Sequence, residues 1–422
     1  MSRGETSTRS LVAALGGLLG PEAVVPVDAL PSWEVGGAKP LAAALPGTVE
    51  EVREVLALAA AEGVGVVPLG GRTDPGSEAP SGPFVVLGTE RLDGVQDYEP
   101  ADLTVTAGAG ITLATLAATL AERGQWLPVD PPFAGGRTLG GLVATGAAGP
   151  LGTAYGAPRD HVLGLTVVTG DGRVLRLGGR VMKNVAGFDL VKLMVGSRGT
   201  LGVVVSASVR LFPRPEEDRL LACSAAHPHE LLELARAVAT GPVVPASAVL
   251  LIHGSSGGGA TLAVRIQGAS SAVSADQARL LPRGSAMRRL PPEEVAGLRE
   301  QVRDHGAVHP LVVRASALPG DLPELLDAVG EALPHGDAAA DVMAGRVRCG
   351  VPDPEAVEID ALRRLRVRVG ALGGSLSVER APATVLEGFP AYAPERRSHA
   401  LGVALRDRFD PGGVLSPGRF VR

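Results

Sequence analysis

Cysteine is scarce in this chain. The sequence has 422 residues but two cysteines, Cys223 and Cys349. Two thiols cannot supply the disulfide framework of a small secreted domain, and an iron–sulfur cluster needs about four thiolate ligands. We therefore expect a protein of a reducing, cytoplasmic compartment with both cysteines in its core. Any iron–sulfur centre that works with it would belong to a partner chain.

Long apolar runs are also missing. No stretch approaches the ~20 apolar residues that span a bilayer. Arg3 and Arg9 precede "LVAALGGLLG", which faintly resembles a secretory signal, but Gly16-Gly17 interrupts the stretch and no small-residue cleavage site follows. We expect a short surface helix here, and we expect membrane association, if there is any, to come through partners.

Aromatic residues and lysine are few, and the charge is unevenly spread. Aromatics make up 3% of the residues, and three of the 40 basic residues are lysines. Ten Lys/Arg and three Asp/Glu fall between Gly135 and Pro215, a local charge of +7 that leaves −12 for the rest of a chain whose net charge is −5. This segment predicts an anion-binding surface, with a solvated basic face as the alternative. Nucleic acid is disfavoured because no aromatics alternate with the basic residues.

The common nucleotide motifs are absent. Gly108-Ala109-Gly110 follows a predicted strand, but Leu113 stands where a Rossmann fingerprint needs its third glycine. No Walker sequence ending in Gly-Lys-Ser/Thr occurs, which argues against an ATPase.

Sites built on histidine are not supported either. His305 and His309 are four residues apart, but Gly306 lies between them and no third ligand is near, so we predict no metal. The run Arg159-Asp160-His161 is interpreted as an ion pair in a turn rather than as an acid–base site.

Periodicity and turn residues predict an alternation of strands and helices. Thr48 and Glu51 form a capping box that begins a helix ending at Gly63. A β-hairpin is predicted around Gly170-Asp171-Gly172, and prolines place a domain boundary near 213–216. The other predicted elements are strands at Val64–Leu69 and Val203–Phe212, a strand that ends at Gly108–Gly110, and helices over Thr112–Arg123, 231–240, 292–303 and 321–332.

Two glycine-rich loops are the strongest candidates for a binding site. Between Gly135 and Gly202, 17 of 68 residues are glycine. Glycine lets backbone N–H groups approach a ligand, and successive amides in such turns bind phosphate. The loops are Gly70–Gly76 and Thr138–Gly141, the second followed by Ala144 and Gly146. Together they could clasp one diphosphate; the alternative is that they are tight turns.

The segment from Arg137 to Val204 resembles a known family. It is similar to the FAD-binding domain of the vanillyl-alcohol oxidase/p-cresol methylhydroxylase type, and most similar to the FAD-binding subunits of bacterial glycolate oxidases. The nearest matches are "VMKNVAGFDL…LMVGSRGTLGV" and "FDPGGVLSPGRF". The resemblance implies an α+β protein: a p-cresol methylhydroxylase-type FAD-binding domain of two subdomains, an α/β cap domain and a tail that returns to the FAD domain. The implied boundaries are an N-terminal segment at 1–37, the FAD domain at 38–215 with subdomains 38–100 and 101–215, the cap at 216–390 and the tail at 391–422.

The resemblance also implies a set of cofactor-binding residues. Arg72 and Asp74 depart from the family pattern of small residues, and an aspartate beside a diphosphate is unfavourable unless it points away or pairs with Arg72. No histidine occurs in either loop, so FAD is expected to be bound non-covalently. Arg72, within the first loop, and Lys183, considered next, are added as candidates. The residues that the resemblance implies are Gly70, Gly71, Thr73, Gly76, Pro131, Thr138, Gly140, Gly141, Ala144, Gly199, Thr200, Gly202 and Val203.

Two of the three lysines fall in the segment of strongest resemblance. Because lysine is a compact point charge and arginine a planar fork, we hypothesise that Lys183 places an ammonium group near the flavin or the diphosphate. Lys192 is expected on a helix face.

The implied function is participation in the flavin-dependent oxidation of a 2-hydroxy acid. Implied partners are a sister FAD-containing catalytic subunit and an iron–sulfur subunit. Catalytic flavin dehydrogenases of this superfamily carry a Gly-Glu-His-Gly stretch, whereas "GGSLSVERAPATVLEG" here contains Glu379 and Arg380 but no histidine. Two alternatives stay open: a self-sufficient oxidoreductase in which Arg380 or Arg419 clamps a substrate carboxylate, and a scaffold subunit that binds FAD weakly or not at all.

Overall fold

A first, mostly parallel sheet occupies the N-terminal part of the chain. The computed structural model describes residues 3–26, 33–74, 76, 78–179, 188–281, 286–392 and 396–420. Strands β2, β4 and β3 run parallel, and β1 pairs with β2 in the antiparallel sense. The elements are α1 (Arg3–Leu19), β1 (Val24–Pro26), β2 (Ala42–Ala44), α2 (Val49–Ala61), β3 (Gly65–Leu69) and β4 (Phe84–Gly88).

The N-terminal helix corrects one expectation. Helix α1 has 17 residues, and Leu11, Leu15 and Leu19 are buried in the same core as α2 and the first sheet. These three leucines recur every four residues, so they form one apolar stripe. The prediction of a surface helix is confirmed, because Arg9, Ser10, Ala13 and Ala14 remain exposed. The helix is longer than expected, since Gly16-Gly17 falls between the stripe positions and does not interrupt it.

The capping signal at α2 is confirmed. The Thr48 hydroxyl accepts a hydrogen bond from the Glu51 amide at 3.1 Å. The Glu51 carboxylate accepts from the amide of Gly47, one residue before the predicted partner. Gly63, with φ of +64°, ends the helix region.

A second, antiparallel sheet follows in the chain. Its order is β5-β6-β10-β8-β9, and β8 and β9 form the predicted hairpin. The elements are β5 (Val95–Glu99), β6 (Thr104–Gly108), α3 (Leu113–Ala121), β7 (Gln125–Trp126), α4 (Leu139–Thr145), α5 (Gly152–Tyr155), α6 (Pro158–His161), β8 (Val162–Val168), β9 (Val174–Gly178), α7 (Leu190–Met194), β10 (Val203–Arg210) and β11 (Phe212–Pro213).

The region after residue 216 builds one large sheet. Its order is β15-β12-β14-β13-β17-β18-β16-β19, and every pairing is antiparallel. Helices α8, α9, α11 and α12 cover one face, and α10 covers part of the other. The elements are β12 (Glu217–Ala225), α8 (His229–Thr240), β13 (Ser247–His253), β14 (Ala260–Gly268), α9 (Ser270–Leu280), β15 (Arg288–Arg289), α10 (Pro292–Asp304), β16 (Leu311–Ser316), α11 (Leu322–Ala332), β17 (Asp337–Asp341), β18 (Arg346–Val351), α12 (Ile359–Ala371), β19 (Ser375–Arg380) and α13 (Ala383–Gly388).

The C-terminal tail returns to the first sheet. After α14 (Arg396–Phe409), Leu415 forms a bridge with Val66 of β3. The Asp410 carboxylate accepts hydrogen bonds from the amides of Val414 and Leu415 at 3.0 and 2.8 Å, which shapes this turn. The tail therefore lies beside the strand that leads into the first glycine loop. No helix in the described ranges has the length and apolar character that crossing a membrane requires.

Candidate cofactor site

The two glycine-rich loops press directly against each other. A β carbon on Gly70 would lie 2.0 Å from the hydroxyl oxygen of Thr138, and one on Gly71 would lie 1.8 Å from the carbonyl oxygen of Gly136. No side chain fits at these distances, so glycine is required for the two backbones to meet.

A cleft opens along the line where these loops meet. Its volume is about 680 Å³ including space open to solvent. It is lined by Pro68, Leu69, Gly70, Gly71, Arg72, Thr73, Asp74, Thr89, Arg137, Thr138, Gly140, Gly141, Ala144, Thr145, Arg198, Gly199, Gly202, Val204 and Arg419.

The backbone of the first loop has unused hydrogen-bond donors. Within the described part of the chain, the amides of Gly70, Gly71 and Thr73 donate to no protein acceptor, and the same holds for Gly199 across the cleft. Arg72 has φ of +54°, a left-handed conformation that is typical of loops whose successive N–H groups converge on an anion. These free amides fit the diphosphate of FAD.

The charged side chains of this loop avoid the predicted conflict. The Arg72 guanidinium forms an ion pair with Glu90 and lies 4.2 Å from the centre of the Trp33 ring. Asp74 pairs with Arg198 at 3.5 Å. The partner that offsets the Asp74 carboxylate is therefore Arg198 rather than Arg72, whose guanidinium turns toward Glu90.

Arg137 contributes a buried positive charge. Its side chain is 3% exposed, its Nε donates to the carbonyl of Pro132 and its guanidinium donates to the hydroxyl of Thr145. Burial lowers the pKa of Arg137, and an arginine stays charged at neutral pH even so. The cleft is thus positively charged where the loops meet.

A second pocket of about 450 Å³ adjoins the cleft and reaches the large sheet. Arg314 and Arg348 face each other on β16 and β18 and contact the Glu379 carboxylate at 3.4 and 3.0 Å. Burial raises the pKa of Glu379, but Arg348 and Arg314 outweigh it and lower that pKa to about 2. The lining residues are Thr73, Asp74, Pro132, Phe133, Arg137, Thr145, Ala147, Arg198, Ala307, Val312, Arg314, Arg348, Glu379 and Arg380.

The structure brings most of the predicted cofactor residues to the cleft. Arg419 lines the cleft, whereas Arg380 lines the second pocket, so the two candidate substrate arginines are not in one place. The residues lining the cleft are Gly70, Gly71, Arg72, Thr73, Thr138, Gly140, Gly141, Ala144, Gly199 and Gly202.

Four other predicted residues do not line the cleft, and a fifth is not among the described residues. A β carbon on Gly76 would lie 2.4 Å from Arg419, and Pro131 is buried beside the loops. Thr200 faces a separate hollow next to α7. Val203 turns its side chain into the core while its strand neighbour Val204 faces the cleft, as alternation along a strand requires. Lys183 lies outside the described residues.

Sequence reasoning missed four arginines of this region. Arg137 and Arg198 each adjoin a residue that was predicted, Thr138 and Gly199, so their positions could have been noticed. Arg314 and Arg348 are 34 residues apart and meet through strand register, which single-sequence patterns do not reveal.

The two histidines considered as metal ligands, His305 and His309, and both cysteines have structural roles. His305 follows the end of α10 and bonds the carbonyl of Ile252, and His309 bonds Asp337. The described residues contain no group that could hold a metal ion. Cys223 and Cys349 are buried and free, as expected.

One expectation near the hairpin was wrong. Arg159 and Asp160, both described, do not pair; they lie on α6, where the Asp160 carboxylate accepts from the Ala157 amide at 2.9 Å. A short helix beginning at Pro158 presents the carboxylate to its own first turn rather than to its neighbour.

Comparison with known proteins agrees with this geometry. The FAD binding domain family matches residues 40–178, which contain both loops. The chain therefore carries an FAD-binding domain, and FAD is its cofactor. The solved structures of p-cresol methylhydroxylase and alkyldihydroxyacetonephosphate synthase share the fold, with TM-scores of 0.72 and 0.71 over 99% and 97% of this chain and 97% and 85% of theirs, at 16% and 18% identity.

Sequence relatives show to which group of FAD-binding proteins the chain belongs. The chain is 45% identical to D-2-hydroxyglutarate dehydrogenase of Xanthomonas citri pv. viticola and 33% identical to glycolate oxidase subunit GlcD of Bacillus subtilis, over 43% and 46% of its length. It spans 39% and 41% of those two proteins. It is 35% identical to glycolate oxidase subunit GlcE of Escherichia coli over 77% of this chain and 84% of that protein. The chain therefore belongs to the glycolate oxidase GlcE family of FAD-binding proteins.

Proposed function

We propose that this protein is the FAD-binding subunit of a glycolate oxidase-type complex and takes part in the oxidation of a 2-hydroxy acid to a 2-oxo acid. The observation that carries the proposal is the pair of apposed glycine loops, which line a positively charged cleft and leave the amides of the first loop free to bind an anion. The likeness to subunit GlcE over most of both chains supports the same assignment.

The chain's own residues have defined tasks in this proposal. Bound FAD would supply a flavin ring, which can carry hydride or electrons in the oxidation of the 2-hydroxy acid. The amides of Gly70, Gly71 and Thr73 hold the diphosphate, and the glycine contacts fix the loops before the cofactor arrives. Arg198 offsets Asp74, so the cleft stays favourable to phosphate.

The site does not offer an obvious base for the substrate hydroxyl. Among the described residues that line the two pockets, the carboxylates are Asp74 and Glu379, and no histidine lines either. Asp74 pairs with Arg198, and a pKa of about 2 makes Glu379 a poor proton acceptor. We therefore propose that a sister FAD-containing subunit oxidises the substrate, and that an iron–sulfur subunit carries the electrons on.

We further propose non-covalent FAD and a cytoplasmic location. The absence of histidine among the described residues that line the cleft supports a non-covalent cofactor, and two buried free cysteines suit a reducing compartment.

The visible spectrum of the purified chain tests the proposal. A yellow protein whose flavin is released by denaturation, and which glycolate or lactate does not bleach without partners, is the expected result. Bleaching by substrate alone would instead show a self-sufficient oxidoreductase. A colourless chain that cannot be reconstituted with FAD would show a scaffold subunit and overturn the proposal.

A further inference from the structure

The pocket that adjoins the cleft is dominated by arginine. We call it the arginine pocket and define it by Arg137, Arg198, Arg314, Arg348 and Arg380. Against these five guanidinium groups stand two carboxylates among the lining residues, Asp74 and Glu379. Arginine remains ionised in proteins, so the described lining carries a net charge of about +3.

Three of these arginines are not shared with the cofactor cleft. Arg137, Arg198 and Asp74 line both spaces, and their net charge of +1 faces the FAD diphosphate as well. Arg314, Arg348 and Arg380 line the arginine pocket alone, opposed there by Glu379. This part of the pocket therefore keeps two positive charges that the FAD-binding loops do not neutralise.

Arg380 is held without a carboxylate. In the described structure its guanidinium donates to the carbonyl oxygens of Ala307, His309 and Thr73, at 3.1, 3.4 and 3.4 Å, which are neutral acceptors. A partly buried cation without a counter-ion is costly unless a ligand supplies the charge. The hydrogen bond to Thr73 also ties the large sheet to the first glycine loop.

Arg314 and Arg348 are preorganised for a planar anion. They are direct cross-strand partners on β16 and β18, and Glu379 bonds both and fixes their side chains. The Arg314 side chain lines the pocket and is 45% exposed, so a ligand can reach it. Arginine forks bind carboxylates with paired hydrogen bonds.

We propose that the arginine pocket binds a small organic acid with two carboxylates, of the 2-hydroxy or 2-oxo dicarboxylate class. The proposal rests on the proposed function, because the acid that it assigns to this pocket belongs to the substrate or product class of the complex, whichever subunit oxidises it. Two carboxylates match the two uncompensated positive charges of the pocket. A monocarboxylate such as glycolate leaves one of these charges unmatched.

Calorimetry on the purified full-length chain tests this proposal. D-malate and 2-oxoglutarate should bind at least tenfold more tightly than glycolate and D-lactate, with and without added FAD. Equal affinity for mono- and dicarboxylates, or no binding of either, would overturn it.

Two variants move the affinity in opposite directions. Arg314→Gln removes an exposed guanidinium and should weaken dicarboxylate binding about tenfold or more. Glu379→Gln removes the competing carboxylate and should strengthen it. Arg346→Gln is the matched control, because Arg346 lies on the same strand as Arg348 but pairs with Asp341 outside the pocket, and it should leave binding unchanged. A loss of the same size in Arg314→Gln and Arg346→Gln would refute the assignment.

The visible spectrum of each sample separates this inference from the proposed function. A yellow chain that does not bind dicarboxylates contradicts only the proposal for the arginine pocket. A colourless chain that still binds dicarboxylates supports the pocket and contradicts FAD binding.

Discussion

A β carbon on Gly71 would lie 1.8 Å from the carbonyl oxygen of Gly136. That distance joins two loops that are 65 residues apart in the chain and places both at one cleft, which the free amides of the first loop line. The contact requires glycine for steric reasons, whatever ligand the cleft holds.

Substituting Gly71 by alanine should therefore damage the cofactor site. The added methyl group must push the loops apart, so we expect at least tenfold weaker FAD binding, measured by flavin content and by titration of the apoprotein. Gly135→Ala is the matched control in the same region, because a β carbon there meets no atom within 4 Å. Full flavin content in Gly71→Ala would contradict the loop contact.

Replacing Arg72 by glutamine should leave FAD affinity within about twofold of the unchanged chain. Its guanidinium is engaged with Glu90 and Trp33, and a surface pair with a cation–π contact contributes about 1 kcal/mol to stability. Thermal unfolding should record a small decrease in the melting temperature.

By contrast, Arg198→Gln leaves Asp74 uncompensated beside the diphosphate and should weaken FAD binding clearly. The reverse order of these two effects would contradict the observed pairing.

The hypothesis for Lys183 stays a prediction. If its compact ammonium is needed near the cofactor, Lys183→Arg should lower FAD retention. Lys192→Arg is the control, because Lys192 is half-exposed on α7 and pairs with Asp189 at 3.4 Å. Unchanged retention in Lys183→Arg would end the idea.

The stability of the fold should fall between about pH 4 and 7 through Asp130. Desolvation raises the pKa of this carboxyl to about 7, and nearby Asp341 adds to the effect. The folded state therefore keeps a proton that the unfolded state loses at lower pH. The contribution of Asp130 to the free energy of unfolding is fully present below the ordinary pKa of an aspartate. It is lost as the pH rises through 7, by at most about 1.4 kcal/mol per pH unit.

Asp130→Asn should remove that part of the pH dependence. Asparagine keeps the oxygen that accepts from the Leu151 amide at 3.0 Å. Urea unfolding at pH 5 and pH 8 measures the change. At pH 8, the free energy of unfolding of the variant should rise relative to that of the unchanged chain. The same difference between the two proteins at both pH values would show that Asp130 has an ordinary pKa.

Both cysteines should resist alkylation in the native protein. Burial raises the pKa of Cys349 to about 12, and burial also raises the pKa of Cys223. Since the thiolate is the reactive form, iodoacetamide at pH 8 should label neither in the folded chain and both in denaturant. Rapid labelling of Cys349 would show that the hydrophobic core around strand β18 opens in the native protein.

Several elements were predictable because their signals are local. Thr48 caps α2, and Thr112 caps the helix that follows β6, as their hydroxyls and spacing indicate. The hairpin of β8 and β9 and the helices α8, α10 and α11 follow the predicted periodicity. The antiparallel order of the eight-stranded sheet was not predictable, because register depends on partners distant in the chain.

The sequence by itself determined that glycine-rich turns follow predicted strands and that an anion is expected near these turns. It also determined that the chain resembles a glycolate oxidase-type FAD domain. These conclusions depend on backbone freedom and on residue order, which a single chain displays directly. Tertiary structure alone decided that Asp74 is offset by Arg198, and that Arg314 and Arg348 meet across β16 and β18 beside the cleft. The reason is physical: long-range charge pairs form only after packing has brought distant strands and loops together and removed water from between them.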